Sequence, residues 1–402
     1  MLNKLRNLFL QENIQGYIIP SSDEFQNEFI PENNNRLKFI TNFSGSNGLA
    51  IVLADKCMFF TDGRYLEQAS KQLDLNVFTV LDIATIRRFD WARYINTSDA
   101  IGYDPLLFTQ KQLEIFKPLN IKPIQNNLVD LLIPQLKIEQ NTTLYSLEYS
   151  GQDAAEKIAK LRLQLNVNSN KSLGYLITDT SSICWLLNIR NQDQSCIGMV
   201  NCYLIVTNTE ILLFADIKVI TELTNYFENL GMKVLPTSQI QQFLQSIATK
   251  PIFIDESTCP IAFSSILPNG QHNNSYKLLQ ACKNPQELTN FIQVHINDAV
   301  VICEFLAWLD NVLDTQNISE FDLSNKLINL RKNHQSYIKE SFHAICGYQE
   351  NSSVIHYRPL KATAKQISGS GMLLVDTGGH YYGGTTDITR TIFLGTPSSE
   401  DK

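Results

Sequence analysis

Two stretches of this 402-residue chain repeat one another at an offset of about 155 residues, which constrains the fold more than any other feature. Gly16-Tyr17-Ile18-Ile19 corresponds to Gly174-Tyr175-Leu176-Ile177, and Phe39 to Phe43 corresponds to Trp185 to Ile189. Phe59-Phe60-Thr61-Asp62-Gly63-Arg64 then corresponds to Leu213 to Lys218, each followed by a helical pattern, and Ile101 to Asp104 corresponds to Ile252 to Asp255. Chance agreement of apolar strands is the alternative, but four anchors in one order weigh against it. Each copy reads strand, hairpin, helix, strand, so the chain opens with two α/β domains of similar build. A chain of this length exceeds one ordinary core and suggests two or three domains.

A third segment begins at Asn284-Pro285-Gln286-Glu287, where Asn can cap a helix, Pro suits its first position and Glu completes a capping box. Leu288, Phe291, Ile292, His295, Ala299, Ile302, Cys303, Leu306 and Leu309 recur at helical spacing and are expected to face a core. His295 on that stripe reads as a core residue rather than a ligand. Ser319 to Asp322 opens a second helix, with Leu323, Leu327 and Leu330 on one face.

Between Gly371 and Leu394 lie two strand-like runs, Met372–Val375 and Thr385–Leu394, joined through glycines 378, 379, 383 and 384. Folded back about Tyr381-Tyr382, these strands are expected to set Asp376 directly opposite Asp387. Like charges so placed repel. A divalent cation between them reverses the sign, and hard oxygen ligands suit Mg²⁺, Mn²⁺ or Ca²⁺. The plainer alternative is a loop carrying two solvated aspartates.

Hydrophobic residues at 44% and charged residues at 18% describe a globular chain. The net charge of −7, with no basic cluster longer than Arg87-Arg88 or Arg331-Lys332, argues against a nucleic-acid partner. The first residues mix charge into apolar positions and read as an amphipathic helix, with Leu2, Leu5, Leu8 and Phe9 on one face, rather than a signal peptide. No apolar run approaches a bilayer-spanning length in the sequence, so no membrane partner is expected. The eight cysteines form no Cys-x-x-Cys pair, which argues against structural zinc. In a reducing compartment they would be small core residues, and the expected location is cytoplasmic.

Asp376-Thr377-Gly378, Gly384 to Thr391, and the upstream His356-Tyr357-Arg358-Pro359 together resemble the motifs of the Xaa-Pro aminopeptidases (aminopeptidase P), a branch of the pita-bread metallopeptidases. Gly383 departs from the Asp usual there, a position that is not a metal ligand in the family. Pro20 to Asp23, Gly45 to Gly48 and Thr61 to Tyr65 resemble the first creatinase-like domain of the three-domain type, and Ser181 to Arg190 resembles the second. The resemblance implies a mixed α/β and α+β fold. Its parts would be creatinase-like α/β domains at 1–135 and 136–283, then the first half of a pita-bread catalytic domain at 284–402.

It further implies release of the first residue from peptides with proline second, by two divalent metal ions, Mn²⁺ foremost. Asp376 would hold one ion and Asp387 would bridge both. His356 would bind substrate near the tetrahedral intermediate. Arg64 would reach substrate in an assembled dimer, or else form a surface salt bridge with Asp62 or Glu67. The family's remaining His and two Glu ligands have no counterpart in these residues, and Thr396 to Asp401 reads as the capped start of a further helix. These 402 residues alone are therefore expected to be inactive, with a second copy or a complementing carboxy-terminal fragment as partner. A non-catalytic peptide- or protein-binding remnant is the alternative.

Overall fold

Both copies of the repeat fold into a six-stranded sheet of the same order and strand directions. The computed structural model describes residues 1–133, 140–168, 173–193, 196, 198–217, 221–313 and 315–399. The first sheet contains β1 (Gly16–Pro20), β2 (Leu49–Leu53), β3 (Cys57–Thr61), β4 (Phe78–Asp82), β5 (Ala100–Tyr103) and β6 (Asn120–Pro123), in the order β4-β3-β2-β1-β5-β6. The second contains β7 (Gly174–Ile177), β8 (Cys202–Thr207), β9 (Ile211–Ala215), β10 (Met232–Leu235), β11 (Ile252–Ile254) and β12 (Gly270–His272), in the order β10-β9-β8-β7-β11-β12. The leading strand of each copy runs antiparallel to the hairpin beside it and parallel to the strand on its other side.

These strands read as continuous apolar runs because both sheet faces are covered. In the first sheet Tyr17, Ile19, Ala50, Val52 and Phe59 enter one core, while Ile18, Ile51, Met58 and Phe60 enter the other. The second sheet divides its residues in the same way. The second repeat anchor is a helix end in both copies. Helices α1 (Leu2–Glu12) and α2 (Arg36–Thr41) precede the first hairpin, and α3 (Thr180–Leu187) precedes the second. Asn42 and Asn188 close α2 and α3 in the left-handed conformation, at φ 64° and 49°, which Asn tolerates better than most residues. The amphipathic reading of α1 holds, with Leu5 and Phe9 buried and Leu2 and Leu8 partly so.

The chain divides into two compact units. One comprises Met1–Leu144, Asp153–Asp193 and Met199–Cys282 and holds both sheets. Within it, buried Asp23 accepts hydrogen bonds from the Asn27 backbone and side chain. Asn27 also bonds Asn201 and Thr180 of the second repeat. The expected division at 135/136 and the end of the Leu213–Lys218 anchor fall outside the described residues.

The other unit comprises Tyr145–Gln152, Gln194–Gly198 and Lys283–Lys402. Its long helix α4 (Pro285–Val312) starts with the expected capping box, Asn284 and Glu287 exchanging backbone-to-side-chain bonds of 2.9 Å. Helix α5 (Glu320–Arg331) starts with another, from Ser319 and Asp322. The expected core stripe of α4 is only partly the buried one. Leu288, Phe291, Ile292 and Cys303 are exposed, and Ala299 with them. The buried face runs through Val294, Asp298, Val301, Ile302, Phe305, Leu309 and Val312. An aspartate at its centre concealed this face from a search for apolar spacing. Asp298 is fully buried because Arg331 of α5, also fully buried, pairs with it at 2.8 Å. His295 is half-buried, its Nδ1 2.8 Å from the Phe291 carbonyl oxygen.

By length and composition α4 could cross a bilayer, with 28 residues and a best window of mean hydropathy 1.4. The expectation that no run approaches that length is thus corrected. Here the helix packs one face into a core, and the charged residue at the middle of that face is paired with Arg331. Six of the eight cysteines are buried, with Cys282 and Cys303 exposed, and all eight are free thiols. Residues 396–398 form no helix, and Glu400 to Lys402 lie outside the described residues.

Candidate metal centre

The two carboxylates are carried by a bent double strand. Strand β13 (Tyr337–Glu340) and β14 (Ile345–Tyr348) flank it. It is built from β15 (Gly371–Thr377), β16 (Gly379–Tyr381), β17 (Gly384–Thr385) and β18 (Ile388–Leu394). Strand β15 pairs with β14 and β18, while β16 pairs with β13 and β17. The reversal falls at Tyr382-Gly383, one residue beyond the expected place, with Gly383 at φ 101°. At the bend, a Cβ on Gly378 would sit 2.0 Å from the Thr386 carbonyl oxygen. Only glycine lets the two backbones approach so closely.

Register corrects the expected geometry. Asp376 lies opposite Thr389 and Thr377 opposite Ile388. Continuing that register places Asp387 opposite Gly378, so the aspartates are diagonal neighbours on one face. Their side chains still meet. Burial, and then the charge of Asp387, push the Asp376 carboxyl above the usual carboxylate range, while the Thr389 hydroxyl and His356 act against the rise. Asp376 is half-buried and Asp387 exposed. The Asp376 Oδ1 atom is buried and makes no hydrogen bond, an arrangement that costs free energy unless another group completes it.

His356 lies in the turn that follows the short 3₁₀ segment Gln349–Ser353. The neighbouring residue holds this turn down. The Tyr357 hydroxyl donates to Glu320 Oε2 at 2.6 Å. Glu320, wholly buried at the start of α5, also accepts from Tyr348 N at 2.8 Å, Lys365 N at 2.7 Å and the Asn351 side chain. His356 and Asp387 each lie within electrostatic reach of Asp376. Arg64 belongs to the first unit, where its guanidinium forks onto Asp62 at 2.9 and 2.8 Å, and Arg64 draws the Asp62 pKa down to about 2. Of the two salt bridges weighed for Arg64, the structure forms the one to Asp62.

A divalent cation suits this donor set. It would satisfy Asp376 Oδ1 and offset the repulsion between two hard-oxygen ligands. Among the described residues, no group of three or more His, Cys, Asp or Glu side chains is arranged to hold a metal ion. The pair is a partial ligand set. Glu320, Asp298 and Arg331 escaped the sequence reading because buried charges leave no periodic mark. A lone Asp within an apolar stripe was the one available signal.

Comparison with known proteins agrees with this architecture. A family model for the creatinase/prolidase N-terminal domain matches residues 1–130, and a second model of that description matches 134–287. The model for metallopeptidase family M24 matches 291–402. The chain is 32% identical over 433 residues to Xaa-Pro aminopeptidase ApepP of Drosophila melanogaster, covering all of this chain and 70% of that protein. It is 32% identical over 436 residues to a probable Xaa-Pro aminopeptidase P of Podospora anserina, of which it covers 63%. The crystal structure of the Caenorhabditis elegans X-prolyl aminopeptidase, described as a cytosolic enzyme with a di-nuclear active site, superposes with a TM-score of 0.92 at 27% identity. That match covers 99% of this chain and 70% of the other. The chain belongs to the Xaa-Pro aminopeptidase family, as two creatinase-type domains followed by an M24 domain. It spans 63 to 70% of the length of these relatives.

Proposed function

We propose that this chain supplies the two amino-terminal domains and the first half of the active site of a metal-dependent Xaa-Pro aminopeptidase acting on peptides with proline second. The observation that carries this reading is the buried, unbonded Asp376 Oδ1 beside a second carboxylate, Asp387. Asp376 and Asp387 would contribute to holding two divalent ions, with Mn²⁺ as the metal to test. Bound there, such ions polarise a carbonyl and lower the pKa of a water. His356, which acts electrostatically on Asp376, would bind substrate and stabilise charge developing on the carbonyl oxygen. Its turn is fixed by the Tyr357–Glu320 bond.

A dinuclear centre needs roughly 10–12 coordination positions, and two carboxylates fill a minority of them. We therefore assign no turnover to these 402 residues by themselves. Activity calls for the remaining His and Glu ligands, which the part of the relatives that these residues do not span would bring. The matched family ranges support domains at 1–135, 136–283 and 284–402, and the description of the C. elegans enzyme supports a cytoplasmic location. Arg64, whose Nε and Nη2 bond Asp62, would be the substrate contact from the first domain.

The test is hydrolysis of an Xaa-Pro-containing tripeptide with Mn²⁺. The purified chain would be assayed alone and together with a polypeptide equivalent to the part of the relatives that it does not span. Turnover in the mixture, lost in Asp387→Asn, is expected. No turnover in either preparation would overturn the reading.

A further inference from the structure

Between Thr377 and Gly379 on one strand, and between Thr385 and Ile388 on the other, the regular ladder is interrupted. The interruption falls beside the two carboxylates, where their repulsion acts to spread the strands. The local backbone is instead held from beneath by a fully buried polar cluster. Arg331 pairs with Asp298 through Nε at 2.8 Å and Nη2 at 3.1 Å. Its remaining nitrogen, Nη1, donates to the Thr377 hydroxyl. On the other side, the Thr386 hydroxyl donates to Asp298 Oδ2 at 2.6 Å and accepts from Gly379 N at 2.9 Å. The Tyr381 hydroxyl donates to Asp298 Oδ1 at 2.6 Å. Thr377 directly follows Asp376 and Thr386 directly precedes Asp387, so one ion pair grips the chain next to each carboxylate.

We propose that the Asp298–Arg331 pair, acting through Thr377 and Thr386, is a positioning clamp that fixes the spacing of Asp376 and Asp387 for divalent-cation binding. The proposal rests on the metal-binding reading above. A buried ion pair contributes little net stability compared with apolar side chains of the same volume, which leaves orientation as what this one adds. All four members, Asp298, Arg331, Thr377 and Thr386, are fully buried, so they do not themselves contact substrate and act only through the carboxylates.

The experiment is a Mn²⁺ titration of the full 402-residue chain, followed by the electron paramagnetic resonance of free Mn²⁺. The double variant Thr377→Val/Thr386→Val keeps side-chain volume and removes both hydroxyls. Thr386→Val alone gives the same reading where the double variant does not fold. Outer partners of metal ligands typically contribute about 10–100-fold to affinity, so binding at least tenfold weaker is expected. Thr386→Ser, which restores the hydroxyl, should return affinity to within about twofold of the unsubstituted chain, a rescue that loss of packing would not produce. Valine variants that bind Mn²⁺ within twofold of the unsubstituted chain overturn the clamp and leave the metal reading intact. An unsubstituted chain that takes up no Mn²⁺, or an Asp387→Asn variant that binds as well as it, overturns the metal reading and the clamp together.

Discussion

Replacing Glu320 by Ala should unfold the second unit's core far more readily while leaving the two sheet domains untouched. The carboxylate is wholly buried and accepts from four donor groups. Two of these, Tyr348 N and Lys365 N, are backbone groups that cannot turn elsewhere. A buried donor left without a partner costs about 1–3 kcal/mol. Asn351 and Tyr357 are partly exposed and can turn to water, so they add less. Glu320 also sits in the first turn of α5, where a negative charge favours the helix by about 0.3–1 kcal/mol. The sum is about 2–7 kcal/mol. At a urea dependence of about 2 kcal/mol per molar, the unfolding midpoint of this unit falls by about 2 M. Hydrogen exchange with peptide-resolved mass spectrometry in rising urea separates the units, using peptides from α4 and β15 against peptides from β2 and β8. Amides around His356 should also exchange faster in the absence of urea, because Tyr357 loses its anchor. A midpoint shift below about 0.5 M, or an equal shift in both units, would refute the assignment of Glu320 as the hub of this turn.

Gly378→Ala should part the double strand, since its methyl would lie 2.0 Å from a backbone oxygen that cannot move aside cheaply. Expected are fast exchange across 376–389 and loss of Mn²⁺ uptake, and retention of both would show that the approach is looser than the structure has it. A further prediction concerns His343, whose pKa is raised to about 9 by the Cys196 thiol and by Glu340, 3.9 and 3.8 Å from its Nδ1. A folded-state value above the unfolded one means that stability from this contact is full below about pH 6.5 and fades as pH rises toward 9. Nuclear magnetic resonance titration of the ring should give a midpoint well above 6.5, and an ordinary midpoint would refute the contact.

Much of the architecture was legible because it depends on periodicity and local chemistry. The repeated apolar strands announced two like domains, since a sheet covered on both faces demands uninterrupted apolar runs. The capping boxes at Asn284 and Ser319 fixed two helix starts, because each is satisfied within four residues of sequence. The edge strands β4, β6, β10 and β12 were not read, their exposed positions giving a weaker pattern.

The site divides along the same line. His356, Asp376 and Asp387 could be named from short motifs, since each motif is local. Their spatial relation could not. A shift of two residues in register turned a directly opposed pair into a diagonal one, and register belongs to the sheet as a whole. The face of α4 was misread for a related reason. Spacing alone ranks an aspartate as solvent-facing, and only the arrival of Arg331 from another helix makes its burial tolerable. Sequence by itself named the candidate residues. Tertiary structure decided how far apart they stand, because buried charges and strand register are set by partners distant in the chain.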